Sequence, residues 1–239
     1  MVIDERVFQL DGRLRVSELF DSVQGEGPSA GEPCVFLRLA YCNLRCSWCD
    51  TAYSWDFQRY SLAEETRVEA VNELARRIES FGLARLVLTG GEPLIQARGL
   101  TALLALLPED WSVEVETNGT LLPPPELLRR VTQWNAAPKL SNSGETLERR
   151  FRPDVLAVLL ATERAYLKLV IASVVDADEA EALLSSLGWP RERVLFMPQA
   201  ATRNELATRA PLVHAEALRR GVRYSPRLHV ERWDGARGK

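Results

Sequence analysis

No stretch of this chain is apolar for long enough to span a bilayer, and Met1-Val2-Ile3-Asp4-Glu5-Arg6 lacks the apolar core of a secretion signal. An excess of positive charge is missing as well. Lys and Arg total 30 against 33 Asp and Glu, a formal net charge of −3, which argues against a surface built to coat nucleic acid. The basic pairs Arg76-Arg77, Arg129-Arg130, Arg149-Arg150 and Arg219-Arg220 read as solvated helix faces. There is no internal repeat, no low-complexity tract and no interdomain linker; Pro123-Pro124-Pro125 is stiff, but the segments on its two sides have matching character. Histidine is scarce, at two residues, and so is cysteine, at four. Three of those cysteines crowd into eight residues, which is unlike a disulfide framework and makes a reducing cytoplasm the expected compartment.

What is present is strand–helix alternation. Strand-like runs fall near 13–20, 35–40, 85–89, 112–117, 132–135, 165–171 and 194–197, and Val35–Leu39 and Leu86–Thr89 have the short apolar character of buried parallel strands. Helical periodicity lies between them. Ser61-Leu62-Ala63-Glu64 reads as a capping box that opens a helix through Val68, Val71, Leu74, Ala75 and Ile78. Further helices are expected near 96–107, 125–131, 153–161, 177–187 and 203–220. The fold class is therefore α/β with a mainly parallel sheet. About six βα units predict a partial barrel with its active site at the C-terminal ends of the strands.

Cys42, Cys46 and Cys49 are separated by three residues and then two. Three thiolates so placed can hold three corners of a cubane [4Fe-4S] cluster and leave the fourth iron open to a small molecule, whereas closed clusters and structural zinc take four protein ligands. The i, i+4, i+7 spacing also fits three cysteines on the buried face of a helix, and structural zinc is the other alternative. The turn formers inside the segment count against the helix. His214 and His229 lie far away in sequence, and Cys34, in a strand, reads as a core thiol.

The cysteine segment, with an aromatic residue before its last cysteine, resembles the motif of the radical S-adenosylmethionine (SAM) enzymes, and Thr89-Gly90-Gly91-Glu92-Pro93 resembles that superfamily's second motif. Ser22-Val23-Gln24-Gly25-Glu26-Gly27, Cys49-Asp50-Thr51, Glu116-Thr117-Asn118-Gly119, Pro138-Lys139 and Met197-Pro198-Gln199 narrow the resemblance to the 7-carboxy-7-deazaguanine synthase family. The resemblance covers most of the chain. It implies one radical SAM core domain over residues 1–239 with short terminal extensions, folded as a partial (β/α)6-type barrel. It also implies a lyase that rearranges 6-carboxy-5,6,7,8-tetrahydropterin with loss of ammonia, using a [4Fe-4S] cluster, adenosylmethionine cleaved to a 5′-deoxyadenosyl radical, and Mg²⁺.

The same resemblance implies roles for individual residues. Val23, Gln24, Gly25, Arg38 and Thr89 contact substrate, Arg38 through its carboxylate, for which a guanidinium fork is well shaped. A lone Arg in an apolar strand is costly unless paired. Gln24, whose amide can donate and accept, and Glu116, at a strand end, are the catalytic candidates. Trp48, Cys49 and Asp50 meet the adenine. Gly91 and Glu92 meet the methionine, and Lys139, Met197, Pro198, Gln199 and Ala200 line the cofactor cleft. Thr51 is the Mg²⁺ ligand, its hydroxyl being a hard oxygen donor. The segment 225–229 resembles a C-terminal stretch that approaches the site in part of the family. A flavodoxin or ferredoxin donor and a homodimer are also implied. Two residues depart from the pattern: Ala137 replaces a usual serine and Tyr41 a usual glycine. An activase that installs a glycyl radical on a partner protein, and a non-catalytic metal-stabilised binding protein, are the competing readings.

Overall fold

The computed structural model describes residues 12–239. Among the described residues, nine strands form one open sheet: β1 Arg13–Val23, β2 Pro33–Leu39, β3 Arg67–Ala70, β4 Arg85–Gly90, β5 Ser112–Thr117, β6 Gln133–Ala136, β7 Ala165–Ile171, β8 Val194–Pro198 and β9 Arg223–Tyr224. Their order is β3-β1-β2-β4-β5-β6-β7-β8-β9. From β2 to β9 every neighbouring pair is parallel, while β1 runs antiparallel to both β2 and β3. The expected mainly parallel, partial barrel is present, with the two end strands unjoined.

The α-helices of the described residues are α1 Leu62–Glu65, α2 Val71–Glu79, α3 Ala97–Leu104, α4 Pro125–Arg130, α5 Leu147–Arg150, α6 Pro153–Leu160, α7 Val174–Leu187, α8 Arg203–Arg220 and α9 Leu228–Trp233. The longest two owe their ends to local chemistry. Ser173 with Asp176 and Thr202 with Glu205 form reciprocal capping boxes, and Gly188 and Gly221 end the helices in the left-handed conformation. The core lies between sheet and helices and includes Leu37, Leu39, Leu86, Leu88, Val113, Val115, Trp134, Leu167, Leu169 and Phe196, all fully buried. Among the described residues, no helix is long and apolar enough to cross a membrane.

One local expectation is overturned. The helix predicted to run from Ser61 to Ile78 is two helices with a strand between them, and the Ser61 side chain caps nothing. Residues 67–70 pair with residues 13–16 of β1, because the edge of β1 carries backbone groups that need partners. Leu74, Ala75 and Ile78 keep their predicted role as the buried face of α2. Helix α7 also begins at Val174, ahead of the predicted 177, since its cap is Ser173.

Candidate active site

At the C-terminal end of the sheet lies a cavity of about 430 Å³. The loop after β2 brings Cys42, Cys46, Trp48, Cys49, Asp50 and Thr51 to it; β4 adds Thr89, Gly90 and Gly91, and β5 adds Glu116. Lys139 follows β6, Lys168 and Val170 come from β7, and Met197 and Gln199 from the end of β8. The floor is the β1–β2 hairpin with Val23, Gln24, Gly25, Glu26 and Arg38, and the last wall is the C-terminal segment with Arg227 and His229. Sequence separations of up to about two hundred residues thus close on one space.

The cysteine loop is not a helix, which removes the helical-core alternative. All three thiols are free and half-buried, and burial raises the affinity of Cys42 and Cys46 for their protons. Cationic iron would reverse that preference. The sulfurs already have donors: Leu44 N–H lies 3.4 Å from Cys42 Sγ, and the Trp55 indole Nε1 3.2 Å from Cys49 Sγ. Among the described residues, no three His, Cys, Asp or Glu side chains converge as the ligands of a single ion do; in a cubane each thiolate takes a separate iron. Gly91 is packed so closely that a Cβ would sit 2.1 Å from the Tyr41 carbonyl oxygen and 2.9 Å from Cys42 Cβ. The donor set and this close approach fit an open-cornered cluster beside the Gly90-Gly91 turn.

Tyr41 has φ of +77°, so the usual glycine at that place answers a left-handed backbone. Its carbonyl accepts the Glu92 N–H at 2.8 Å, and its ring packs edge-on against Phe57. Trp48 donates to Asn142 Oδ1 at 3.2 Å and carries the Lys139 ammonium 5.7 Å from its ring centre, which steadies it as a flat wall.

Glu92 departs from its expected place. It is completely buried and absent from the cavity wall; its carboxylate accepts from Leu94 N, Thr117 Oγ1 and Asn118 N at 3.0, 2.9 and 2.7 Å. Burial raises it to about 6. It ties the β4 turn to the end of β5. Pro198 and Ala200 likewise sit behind the wall that Met197 and Gln199 form.

Gln24 is another adjustment. Its Nε2 donates to Glu114 and, at 3.4 Å, to Glu116, and its Oε1 accepts the Glu26 N–H at 3.2 Å. The side chain is therefore occupied inside the protein, where Gln24 lines the cavity together with Val23 and Gly25. Arg38 donates through Nε to Glu18 at 2.6 Å, so the strand arginine is paired as its cost requires. Glu18 also accepts from Tyr53 Oη at 2.8 Å.

Around the floor the charges form one network. Lys168, only 4% exposed, places its ammonium 2.6 Å from both Glu26 and Glu116. Arg227 binds Glu26 at 3.0 Å and Asp50 at 2.5 Å. Burial alone would raise Glu26, but Lys168 and Arg227 hold it far below the usual carboxylate range. Asp50 is likewise held low, by its ion pair with Arg227. His229 is pushed down by burial and abuts Gly25, where a Cβ would come within 2.2 Å of its Nδ1. The sequence alone gives no role to Glu26 or Lys168, whereas Arg227 and His229 belong to the segment 225–229 expected to approach the site. Lys168 had a readable signal, as the lone charge in the apolar run Ala165-Tyr166-Leu167-Lys168-Leu169-Val170-Ile171. His214 lies exposed on α8, outside the cavity lining, with its ring edge-on to Tyr224.

Comparison with known proteins agrees with this geometry. Residues 38–156 match the Radical SAM superfamily. A curated 7-carboxy-7-deazaguanine synthase of Pyrobaculum aerophilum is 42% identical, over 95% of this chain and 98% of its own. That of Hyperthermus butylicus is 35% identical over 91% of this chain and 92% of its own. The crystal structure of QueE from Escherichia coli superposes with a TM-score of 0.66 at 25% identity, covering 94% of this chain and 98% of that one.

Proposed function

The chain belongs to the 7-carboxy-7-deazaguanine synthase family of the radical SAM superfamily, and from that premise we propose a lyase that converts 6-carboxy-5,6,7,8-tetrahydropterin to 7-carboxy-7-deazaguanine with release of ammonia. The observation that carries it is that the cysteine triad and the Gln24–Arg38–Glu116–Lys168 floor open onto the same cavity. A cluster at Cys42, Cys46 and Cys49 would supply the electron that cleaves adenosylmethionine reductively, and the Gly90-Gly91 turn and the Trp48 wall would hold that cofactor.

The protein's own part is recognition and positioning. Arg38 keeps its two terminal guanidinium nitrogens for an anion while Glu18 holds Nε, which suits a substrate carboxylate. Glu116 and Glu26 offer anionic acceptors to the N–H edge of a pterin, and Lys168 keeps both in place. Thr51, whose Oγ1 lies 3.6 Å from Cys49 Sγ at the cavity wall, is the proposed Mg²⁺ ligand. One domain spanning the chain, a cytoplasmic homodimer and a flavodoxin or ferredoxin donor complete the reading.

Anaerobic reconstitution tests it. About four irons per chain and deoxyadenosine formation that depends on the carboxytetrahydropterin, and is stimulated by Mg²⁺, are expected. Zinc in place of iron, with no deoxyadenosine formed, would overturn it.

A further inference from the structure

Glu114 lies two residues before Glu116 on β5, on the same face of the strand and one layer deeper. Its side chain is fully buried, and it does not reach the cavity. A buried carboxylate is costly without compensation. The nearest cation, Arg85 Nη1, is 3.9 Å away. A leucine would fill the same space at lower cost, so the carboxylate needs a reason.

Its partners supply one. Oε1 accepts from Gln24 Nε2 and, at 2.6 Å, from Asn135 Nδ2; Oε2 accepts from Ser29 Oγ at 2.5 Å. Both carboxamides also reach Oε1 of Glu116, at 3.4 Å from Gln24 and 2.9 Å from Asn135. The far ends of the two amides are fixed as well: Gln24 Oε1 accepts the Glu26 N–H, and Asn135 Oδ1 accepts from Gln133 Nε2 at 3.3 Å. Each amide therefore has one permitted orientation. A flip would turn its oxygen against two carboxyl groups.

We propose that Glu114 is a positioning residue for substrate recognition: it locks the Gln24 and Asn135 carboxamides and so holds Glu116 and the main chain of residues 23–26 in the arrangement that meets the pterin. This rests on the reading of the cavity floor as the pterin site. Burial and the facing Glu116 carboxylate raise Glu114 to about 7, against the hydrogen bonds from Ser29 and Gln24 and the charge of Lys168. A proton there leaves its acceptor oxygens available to both amides, because Ser29 Oγ can either donate or accept.

Two substitutions separate reach from charge. Glu114→Asp keeps the carboxyl group but withdraws the acceptor by one methylene; Glu114→Gln keeps the reach and cannot ionise. Binding of 6-carboxy-5,6,7,8-tetrahydropterin to the reconstituted protein, followed by anaerobic calorimetry with adenosylmethionine titrated separately, reads the difference. The aspartate variant is expected to weaken pterin binding by about tenfold or more, with adenosylmethionine affinity and iron content within about threefold of the parent. The glutamine variant is expected to restore most of the pterin affinity. An aspartate variant that binds pterin as tightly as the parent, a reversed ranking, or equal losses for pterin and adenosylmethionine would overturn the proposal. A parent protein that fails to bind the pterin would overturn the functional reading instead.

Discussion

The Lys168 ammonium sits 2.6 Å from Glu116 Oε2, joining the middle of β7 to the C-terminal end of β5 beneath the cavity. Its second bond, to Glu26 at 2.6 Å, brings in the β1–β2 hairpin. Burial alone would lower Lys168, yet the two carboxylates hold it above the ordinary lysine value, so it remains charged. One cation thus fixes two acceptors that come from distant parts of the chain.

Removing that cation leaves the half-buried Glu116 without its cation and Glu26 with Arg227 alone. Lys168→Met keeps the volume, and the cost expected for breaking a buried ion pair is about 3–5 kcal/mol. Urea unfolding of the metal-free chain measures it. A loss below about 1 kcal/mol would show that Glu26 and Glu116 are sufficiently solvated or paired without Lys168.

Stability should also record the state of Glu114. Its value in the folded chain, about 7, exceeds the ordinary 4.5, so between those pH values the folded form holds a proton that the unfolded form has released. The stability this supplies is complete below about 4.5 and disappears as pH rises through about 7. Glu114→Gln cannot titrate. The parent is therefore expected to lose stability relative to that variant from pH 4.5 to 7, and a constant difference across this window would contradict the assignment.

Gly25 has no room for a side chain. A Cβ there would lie 2.2 Å from His229 Nδ1 and 3.1 Å from the His229 main-chain nitrogen, and the Gly25 carbonyl accepts the Leu228 N–H at 3.0 Å. Gly25→Ala is expected to push α9 and His229 off the floor and to lower turnover by about a hundredfold, with iron content unchanged. Turnover near the parent's would show that the C-terminal segment yields without consequence.

Trp55 donates its indole N–H to Cys49 Sγ at 3.2 Å. Hydrogen bonds to cluster sulfurs stabilise the more negative, reduced state and raise the potential. Trp55→Phe keeps the ring and removes the donor, so an electron-paramagnetic redox titration is expected to find a lower midpoint with the iron content retained. An unchanged midpoint would remove Trp55 from the cluster's electrostatics.

Much of this site was legible from local pattern. The strands before the cysteines and before Gly90 are short apolar runs, and a motif at the end of such a strand has one place to go in a parallel sheet. What escaped depends on pairing over long separations. Ser61 reads as a cap because Glu64 stands three residues after it and apolar residues follow, but the demand of β1 for an edge partner is invisible in residues 61–78. Gln24 read as a free amide, and only the fold shows Glu114 and Glu116 beside it. Glu92 read as a cofactor contact, whereas its partners Thr117 and Asn118 belong to the next strand's end. Lys168 was readable by the argument applied to Arg38, a lone cation in an apolar strand.

The central claim is that the open-cornered cysteine triad and the carboxylate–lysine floor serve one reaction. Mass spectrometry of the products of an anaerobic incubation with adenosylmethionine, Mg²⁺, a reductant and 6-carboxy-5,6,7,8-tetrahydropterin tests it most directly. The account predicts 7-carboxy-7-deazaguanine and ammonia. Deoxyadenosine formed while the pterin is recovered unchanged would contradict it.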